Sequence, residues 1–454
     1  MAIDGMKFLH AARLSGVPSG MAAAGGSKAP RAQGARQTGK TYVLAEFGAA
    51  EYAGVHVLNF EADPRLATVF EGELDPTRLL RDLALLGRFD PAAALAGKAL
   101  IFFDEIQACP RALTSLKYFA ERLPAAHVVA AGSLLGVELS RAASFPVGKV
   151  ELHTLHPLDF CEFLDATGRE AYRARLEGLA AIEPLPAGIH AELIAALREY
   201  LVVGGMPEAV AAFGASHDFA RIRQIQGNIV AAYRLDFAKH APFPLVPRLA
   251  MLWDAIPGQL ARENRRFLFS AVQQGARARD YEDALLWLEQ AGLVHRSFAV
   301  ATPKLPLSGY CNRRLFKLFA LDVGLLGAVA NLSADVVVQG NAVFEEFKGA
   351  LAEQYVAQQL MAADTAGEPR PLFYWQNEKT GTEVDFLIEN QAIIPLEVKS
   401  GVNARSKSLT SYGRQFSPPQ VARASLLNLK ADGDTINIPL YLLPALRRVL
   451  QRRW

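Results

Sequence analysis

Three features of the sequence predict an α/β fold with a parallel sheet in its N-terminal third. Short apolar runs (VHVLNFE, KALIFFDE, HVVAAGS) alternate with helix-like segments between about residues 40 and 160, the pattern of strands buried on both faces by crossover helices. A glycine-bounded loop, GARQTGKT, stands directly before the first of those helices, which is how a phosphate-binding turn is built. A second group of strand-like runs, TEVDFLIEN and AIIPLEVKS, follows a long helical segment near the C-terminus and predicts a separate α/β module.

At about 150 residues per domain, a chain of this length suggests about three domains. Residues 1–33 are rich in Gly, Ala, Ser and Pro without helical or strand periodicity, so an atypical, disordered N-terminus is expected. Residues 34–165 carry the sheet. From 166 to 245 the pattern turns helical (HAELIAALREYLVVGG, FARIRQIQGNIVAAYRLDFAKH), and the proline-rich joint APFPLVPR opens a compact helical stretch over 246–335. Residues 336–454 hold the helix AVFEEFKGALAEQYVAQQLMAA, the two strand runs, and a further strand and helix.

Composition narrows the function classes. Hydrophobic residues are 51% and charged residues 21%, a globular balance that excludes a collagen-like or disordered chain. The formal net charge is +2 from 48 basic and 46 acidic residues, so bulk charge points to no polyanionic partner. That sum hides an acidic body between basic ends: residues 401–454 carry nine Lys and Arg against Asp432 and Asp434. Nucleic-acid contact is therefore expected at the C-terminal module if anywhere. The three cysteines, Cys109, Cys161 and Cys311, are odd in number and far apart, which offers no disulfide framework or zinc spacing. The uncharged stretch Leu123–Val137 falls short of the roughly 18 apolar residues of a membrane span. A cytoplasmic protein with no membrane partner is the expectation.

The loop Gly34-Ala35-Arg36-Gln37-Thr38-Gly39-Lys40-Thr41 fits G-x-x-x-x-G-K-[ST]. Its glycines let backbone N–H groups turn inward around phosphate oxygens; Lys40 would reach the β- and γ-phosphates of ATP and Thr41 would ligate Mg2+. Asp104 and Glu105 end the apolar run ALIFF, 64 residues beyond Lys40. There Asp104 would hold the same Mg2+ and Glu105 would orient or deprotonate water, although an ordinary helix cap also fits that position. Ser133, at the end of a third run, is a candidate for sensing the γ-phosphate or for a turn serine. Arg141 and Lys149 could stabilise charge or simply face solvent. One departure stands out: GGSKAPRAQ, just before the loop, does not read as the apolar strand that should anchor it. A nucleotide site weakened by that gap is the expectation.

Taken together, GARQTGKT, IFFDEIQACP, AAGSLLG, PVGKVELHTLHPLDFCEFL and YLVVGGMPEAV, then IPGQLARENRRF, FKLFALDVGLL and EVDFLIEN…LEVKS, resemble a bacterial and archaeal family of AAA-type ATPases. These proteins carry a C-terminal domain of unknown function similar to PD-(D/E)xK nucleases. The resemblance implies a P-loop NTPase parallel-sheet core at 34–165, a helical lid at 166–245, a winged-helix-like segment at 246–335 and a nuclease-like α/β domain at 336–454. It makes ATP with Mg2+ the expected ligands, DNA or protein the expected partner of the C-terminal module, and homo-oligomerisation plausible.

In the last module Glu383 and Asp385 are two apart, as are Glu397 and Lys399, so on strands each pair shares a face. Three carboxylates and a lysine would meet at one edge, with Glu353 on the preceding helix as a further ligand. That set could hold a divalent metal and activate water for phosphodiester hydrolysis. It fits equally well alternating charge on a half-exposed strand, or a docking surface that retains the fold without cleavage. The helix from Asp280 to Glu289 is acidic and is expected to pack rather than to face phosphates.

Overall fold

The computed structural model describes residues 29–132, 150–179, 181–262, 265–339, 345–363, 370–401 and 407–451. Its N-terminal part is a five-stranded, all-parallel sheet in the order β2-β3-β4-β1-β5. The strands are β1 (Ala29–Gln33), β2 (Gly54–Asn59), β3 (Ala99–Asp104), β4 (His127–Ala131) and β5 (Val150–Thr154). β3 is buried along its whole length. Alternate side chains serve two cores: Leu100 and Phe102 pack with Val43 and Leu44 of helix α1 (Lys40–Glu51), while Ile101 and Phe103 face the opposite layer. That layer contains α2 (Pro76–Gly87) and α3 (Pro110–Arg122). The continuous apolar run ALIFF is therefore required by helices on both faces; burying each Phe contributes about 1.5–3 kcal/mol.

The strand thought absent before the loop is present, which corrects the reading of residues 29–33 as disordered and of the nucleotide site as unanchored. β1 pairs with β5 over its full length and with β4 at Arg31 and Ala32. Pro30 costs little because it lies at the start of the strand, opposite Glu151 and before the β4 pairing begins. A sequence with weak strand propensity is held extended by two neighbours that supply its hydrogen-bond partners.

Beyond the first sheet lie helices α4 (Phe160–Ala166), α5 (Ala187–Val203), α6 (Pro207–Ser216), α7 (Phe219–His240), α8 (Val246–Leu260), α9 (Ala278–Gln290) and α10 (Val323–Val329). α9 buries Tyr281, Leu285, Trp287 and Leu288 and so packs, as its acidic outer face suggested. After α9 come β6 (Val294–Val300) and β7 (Cys311–Ala320), then α11 (Glu345–Ala362), β8 (Leu372–Gln376) and β9 (Glu383–Val384). These four strands form one sheet, β7-β6-β8-β9. The chain continues through Asp385 into the last sheet, β10-β11-β12-β14-β13, made of β10 (Phe386–Glu389), β11 (Ile393–Val398), β12 (Val421–Ser425), β13 (Lys430–Asp432) and β14 (Thr435–Pro439).

The boundary expected at 335/336 is not a break in packing. β6 pairs in parallel with β8 from Ser297/Leu372 to Val300/Trp375, so one sheet contains strands from both sides of it. A single apolar core runs from Leu158 to Leu450. Inside it, Gln358 on α11 donates to the Tyr200 hydroxyl on α5 (3.0 Å) and to Asp322 (2.9 Å). Asp322 in turn caps α10 through the Leu325 N–H (3.0 Å). Buried polar groups held this way fix the mutual placement of the helices they join. Among the described residues no helix is long and apolar enough to cross a membrane, and Cys109, Cys161 and Cys311 are free thiols.

Candidate nucleotide site

The loop after β1 adopts the backbone its glycines allow. Gly34 has φ +147°, and a Cβ there would lie 2.4 Å from the Leu155 carbonyl oxygen, so only glycine fits. Gly39 has φ 86° and Gln37 φ 64°; the second is a left-handed conformation that a non-glycine residue adopts at some cost. Thr38 closes the turn by donating to the Ala35 carbonyl (3.0 Å). α1 then starts at Lys40, its free N–H groups and dipole directed at the loop.

Lys40 is buried and donates to the carbonyls of Gly34 (3.1 Å) and Ala35 (2.5 Å). Burial lowers its pKa to about 8, against the carboxylates of Glu105 and Asp104, which raise it. The Thr41 hydroxyl donates toward both Asp104 oxygens (3.2 Å each), although β4 separates β1 from β3 in the sheet. Asn59, at the end of β2 and level with Asp104, donates to Asp104 Oδ2 (3.0 Å). Burial, with the neighbouring Glu105, raises the Asp104 carboxyl above its ordinary range. Glu105 has φ 50° and bonds to Gln107, a turn that sets its carboxylate beside Lys40 and Asp104. Hydroxyl, carboxylate and ammonium thus converge where a phosphate-bound Mg2+ would be chelated, and the residues fit that group.

Several further residues at this site were not foreseen. Arg36 pairs with Asp236 of α7 (2.7 Å), and the Tyr233 hydroxyl, also on α7, donates to the Arg36 carbonyl (2.9 Å). Lys239 of the same helix pairs with Glu61 (2.8 Å). The end of α7 therefore lies across the loop. No local signal in FARIRQIQGNIVAAYRLDFAKH marks that contact, which spans 200 residues. Asn59 was more accessible: it is a polar residue closing an apolar strand, as Asp104 is. Ser133, Arg141 and Lys149 lie outside the described residues.

The carboxylates of the C-terminal module are gathered, but around a protein cation. Lys317 of β7 is fully buried and lies 3.3 Å from Glu353, 2.6 Å from Glu383 and 3.6 Å from Asp385. Arg265 also pairs with Glu353. Asp385 Oδ2 accepts from the Val398 N–H (2.8 Å), while Glu397 is engaged by Lys399 (2.5 Å). The set expected to hold a metal, Glu353, Asp385 and Glu397 with Lys399, is thus divided: the Lys317 ammonium lies among Glu353, Glu383 and Asp385, while Glu397 pairs with Lys399. Among the described residues no group of carboxylate, imidazole or thiol side chains is disposed to hold a metal ion. Lys317 had a signal: a lone charge inside the apolar run LFKLFA must be buried with partners.

Comparison with known proteins places these findings. Residues 28–164 match the AAA domain family; residues 194–336 and 348–443 match two domains of unknown function, DUF8612 and DUF4143. Residues 28–164, which hold the phosphate loop, thus carry an AAA domain, followed by two domains of unknown function. No curated protein matches it. Among solved structures it resembles the Walker-type ATPase of Pyrococcus abyssi (11% identity, covering 71% of this chain and 94% of that one, TM-score 0.42). It also resembles Aeropyrum pernix ORC1 in complex with DNA (14%, 71% and 91%, TM-score 0.29). A third is a signal transduction ATPase with a tetratricopeptide repeat sensor from Pyrococcus horikoshii (12%, 74% and 45%, TM-score 0.25).

Proposed function

We propose that the protein binds ATP with Mg2+ and hydrolyses it, and that the C-terminal module, nuclease-like in its order of elements, serves this ATPase without cleaving nucleic acid. The observation that carries the reading is the approach of the Thr41 hydroxyl to both Asp104 oxygens beside buried Lys40. The inward N–H groups of residues 34–41 hold phosphate oxygens, and Lys40 neutralises them. Thr41 and Asp104 hold the metal, directly or through its water shell. Mg2+, when bound, screens charge on the phosphate oxygens. Glu105 orients the attacking water and accepts its proton. Asp236 and Tyr233 hold Arg36 and tie the loop to α7, so loop rearrangement is transmitted to the helical region.

The anchoring strand β1 removes the reason to regard the site as decayed. Lys317 argues against metal-dependent phosphodiester hydrolysis in the C-terminal module. The test is ATP turnover, with and without DNA, by the wild type, Lys40→Ala and Glu105→Gln. Lys40→Ala should lose nucleotide binding; Glu105→Gln should keep it and lose turnover by about 100-fold or more. Wild-type turnover no higher than that of Lys40→Ala refutes the proposal.

A further inference from the structure

β7 leaves the register of its sheet where it reaches the loop from β6. Phe298 is level with Phe316 and Ala299 with Asn312, so Arg313, Arg314 and Leu315 have no partners on β6. Such an irregularity redirects side chains at a sheet rim. Here it sets two arginines at the mouth of a cleft of about 470 Å3, lined also by Tyr310, Asn312, Gln376 and Glu378. The cleft is a built feature. The Leu307 N–H donates to Glu389 of β10 (2.5 Å) and Trp375 Nε1 donates to the Ala301 carbonyl (3.2 Å), and these bonds tie the loop down at both ends.

Its chemistry is specific. Arg313 and Arg314 are exposed, and neither has a carboxylate partner among the described residues. The Arg313 guanidinium is held 5.7 Å from the Phe298 ring centroid. Lys304 lies 5.8 Å from the ring of Tyr310, which is 49% exposed. Two lining arginines against the single lining carboxylate of Glu378 favour an anion. An exposed aromatic face with two arginine forks combines stacking with phosphate binding, as single-stranded nucleic acid requires. The Asn312 amide oxygen accepts from the Arg314 N–H (3.0 Å), which leaves its NH2, with the Gln376 amide and Glu378, to present donors and acceptors suited to base edges. An acidic peptide would use the cations and leave the aromatic ring and amides without a role.

We propose that this cleft binds single-stranded nucleic acid, with Arg313 and Arg314 on successive phosphates and one base on Tyr310. The site is distinct from the nucleotide site and from the basic C-terminus. The experiment is fluorescence anisotropy of a labelled oligothymidylate of about 20 nucleotides, long enough to cover one site. It compares the full chain with R313A/R314A, Y310A and, as control, R447A/R448A. R313A/R314A should weaken binding about tenfold or more and lower the slope of log K against log salt by about 1.4, at about 0.7 per phosphate. Y310A should weaken it about tenfold with the slope unchanged, and R447A/R448A should match the wild type. Equal affinity and slope in wild type and R313A/R314A, or a loss confined to R447A/R448A, overturns the proposal. Displacement by polyglutamate as readily as by unlabelled oligothymidylate assigns the cleft to an acidic protein and overturns it too. Displacement by thymidine monophosphate at the same nucleotide concentration assigns it to a free nucleotide, with the same consequence. Thermal melting of R313A/R314A at the wild-type temperature confirms the fold, and the anisotropy readout stands whether or not the chain turns over ATP.

Discussion

Replacing Lys317 by methionine tests whether a protein cation has taken the place of a metal in the C-terminal module. Methionine keeps most of the stem and deletes the ammonium. Three carboxylates then lose a cation at 2.6–3.6 Å; Glu353 keeps a second cation, Arg265, and Asp385 keeps only the Val398 N–H. Removing one member of a buried ion group costs about 3–5 kcal/mol. Glu383 and Asp385 retain 18% and 13% exposure, so water screens part of the loss and the lower end, about 3 kcal/mol, applies. For a cooperative unit at or above the size at which 1 kcal/mol shifts Tm by about 2–4 °C, that corresponds to a fall in Tm of at most about 6–12 °C. The vacated centre, lined by Glu353, Glu383 and Asp385, should then take a divalent cation, which hard oxygen ligands favour. Scanning calorimetry without nucleotide, in EDTA and in millimolar Mn2+, measures both effects. Mn2+ should restore Tm in Lys317→Met, by about 2.7 kcal/mol at 100 times its Kd, and leave the wild type unchanged. An unaltered Tm in the variant, or an equal Mn2+ effect on the wild type, would refute the reasoning.

Two predictions concern the nucleotide site. With a pKa of about 8, Lys40 is about half neutral at pH 8, and phosphate oxygens beside it favour the charged form. ATP binding at pH 8 should therefore take up about half a proton, falling toward zero near pH 6, where Lys40 is already charged. Titration calorimetry in buffers of different ionisation enthalpy reads this uptake; it should vanish in Lys40→Arg, and its persistence there would exclude Lys40 as the source. Asp236→Asn removes one charge partner of Arg36, a part-exposed pair worth about 1 kcal/mol. Hydrogen exchange should accelerate about fivefold, together, over residues 34–39 and 233–240; acceleration in one segment alone would show that the pair does not couple them.

Local chemistry made much of the fold and the loop legible. GARQTGKT specifies its own turn because Gly34 and Gly39 are the residues that tolerate those backbone angles. ALIFFDE reads as a doubly buried strand because every position is apolar until the acidic pair. Glu383 and Asp385 are placed on one face by period alone, and both approach Lys317. β1 was missed because its extended state comes from β4 and β5, not from APRAQ. Lys317 is a lone charge in the apolar run LFKLFA, and which carboxylates partner it depends on strands far along the chain.

What the sequence by itself determined was the class of chemistry: a phosphate loop, a strand ending in Asp104 and Glu105, and carboxylates converging in the last module. Only the tertiary structure decided which of those groups meet one another. Thr41 meets Asp104 because the sheet order brings two separated strand ends to one rim, and Asp236 reaches Arg36 across 200 residues. Whether carboxylates face a metal or a lysine depends on what a distant strand inserts between them. β7 inserts Lys317, and its buried ammonium lies among Glu353, Glu383 and Asp385, a contact that no local pattern in the last module announces.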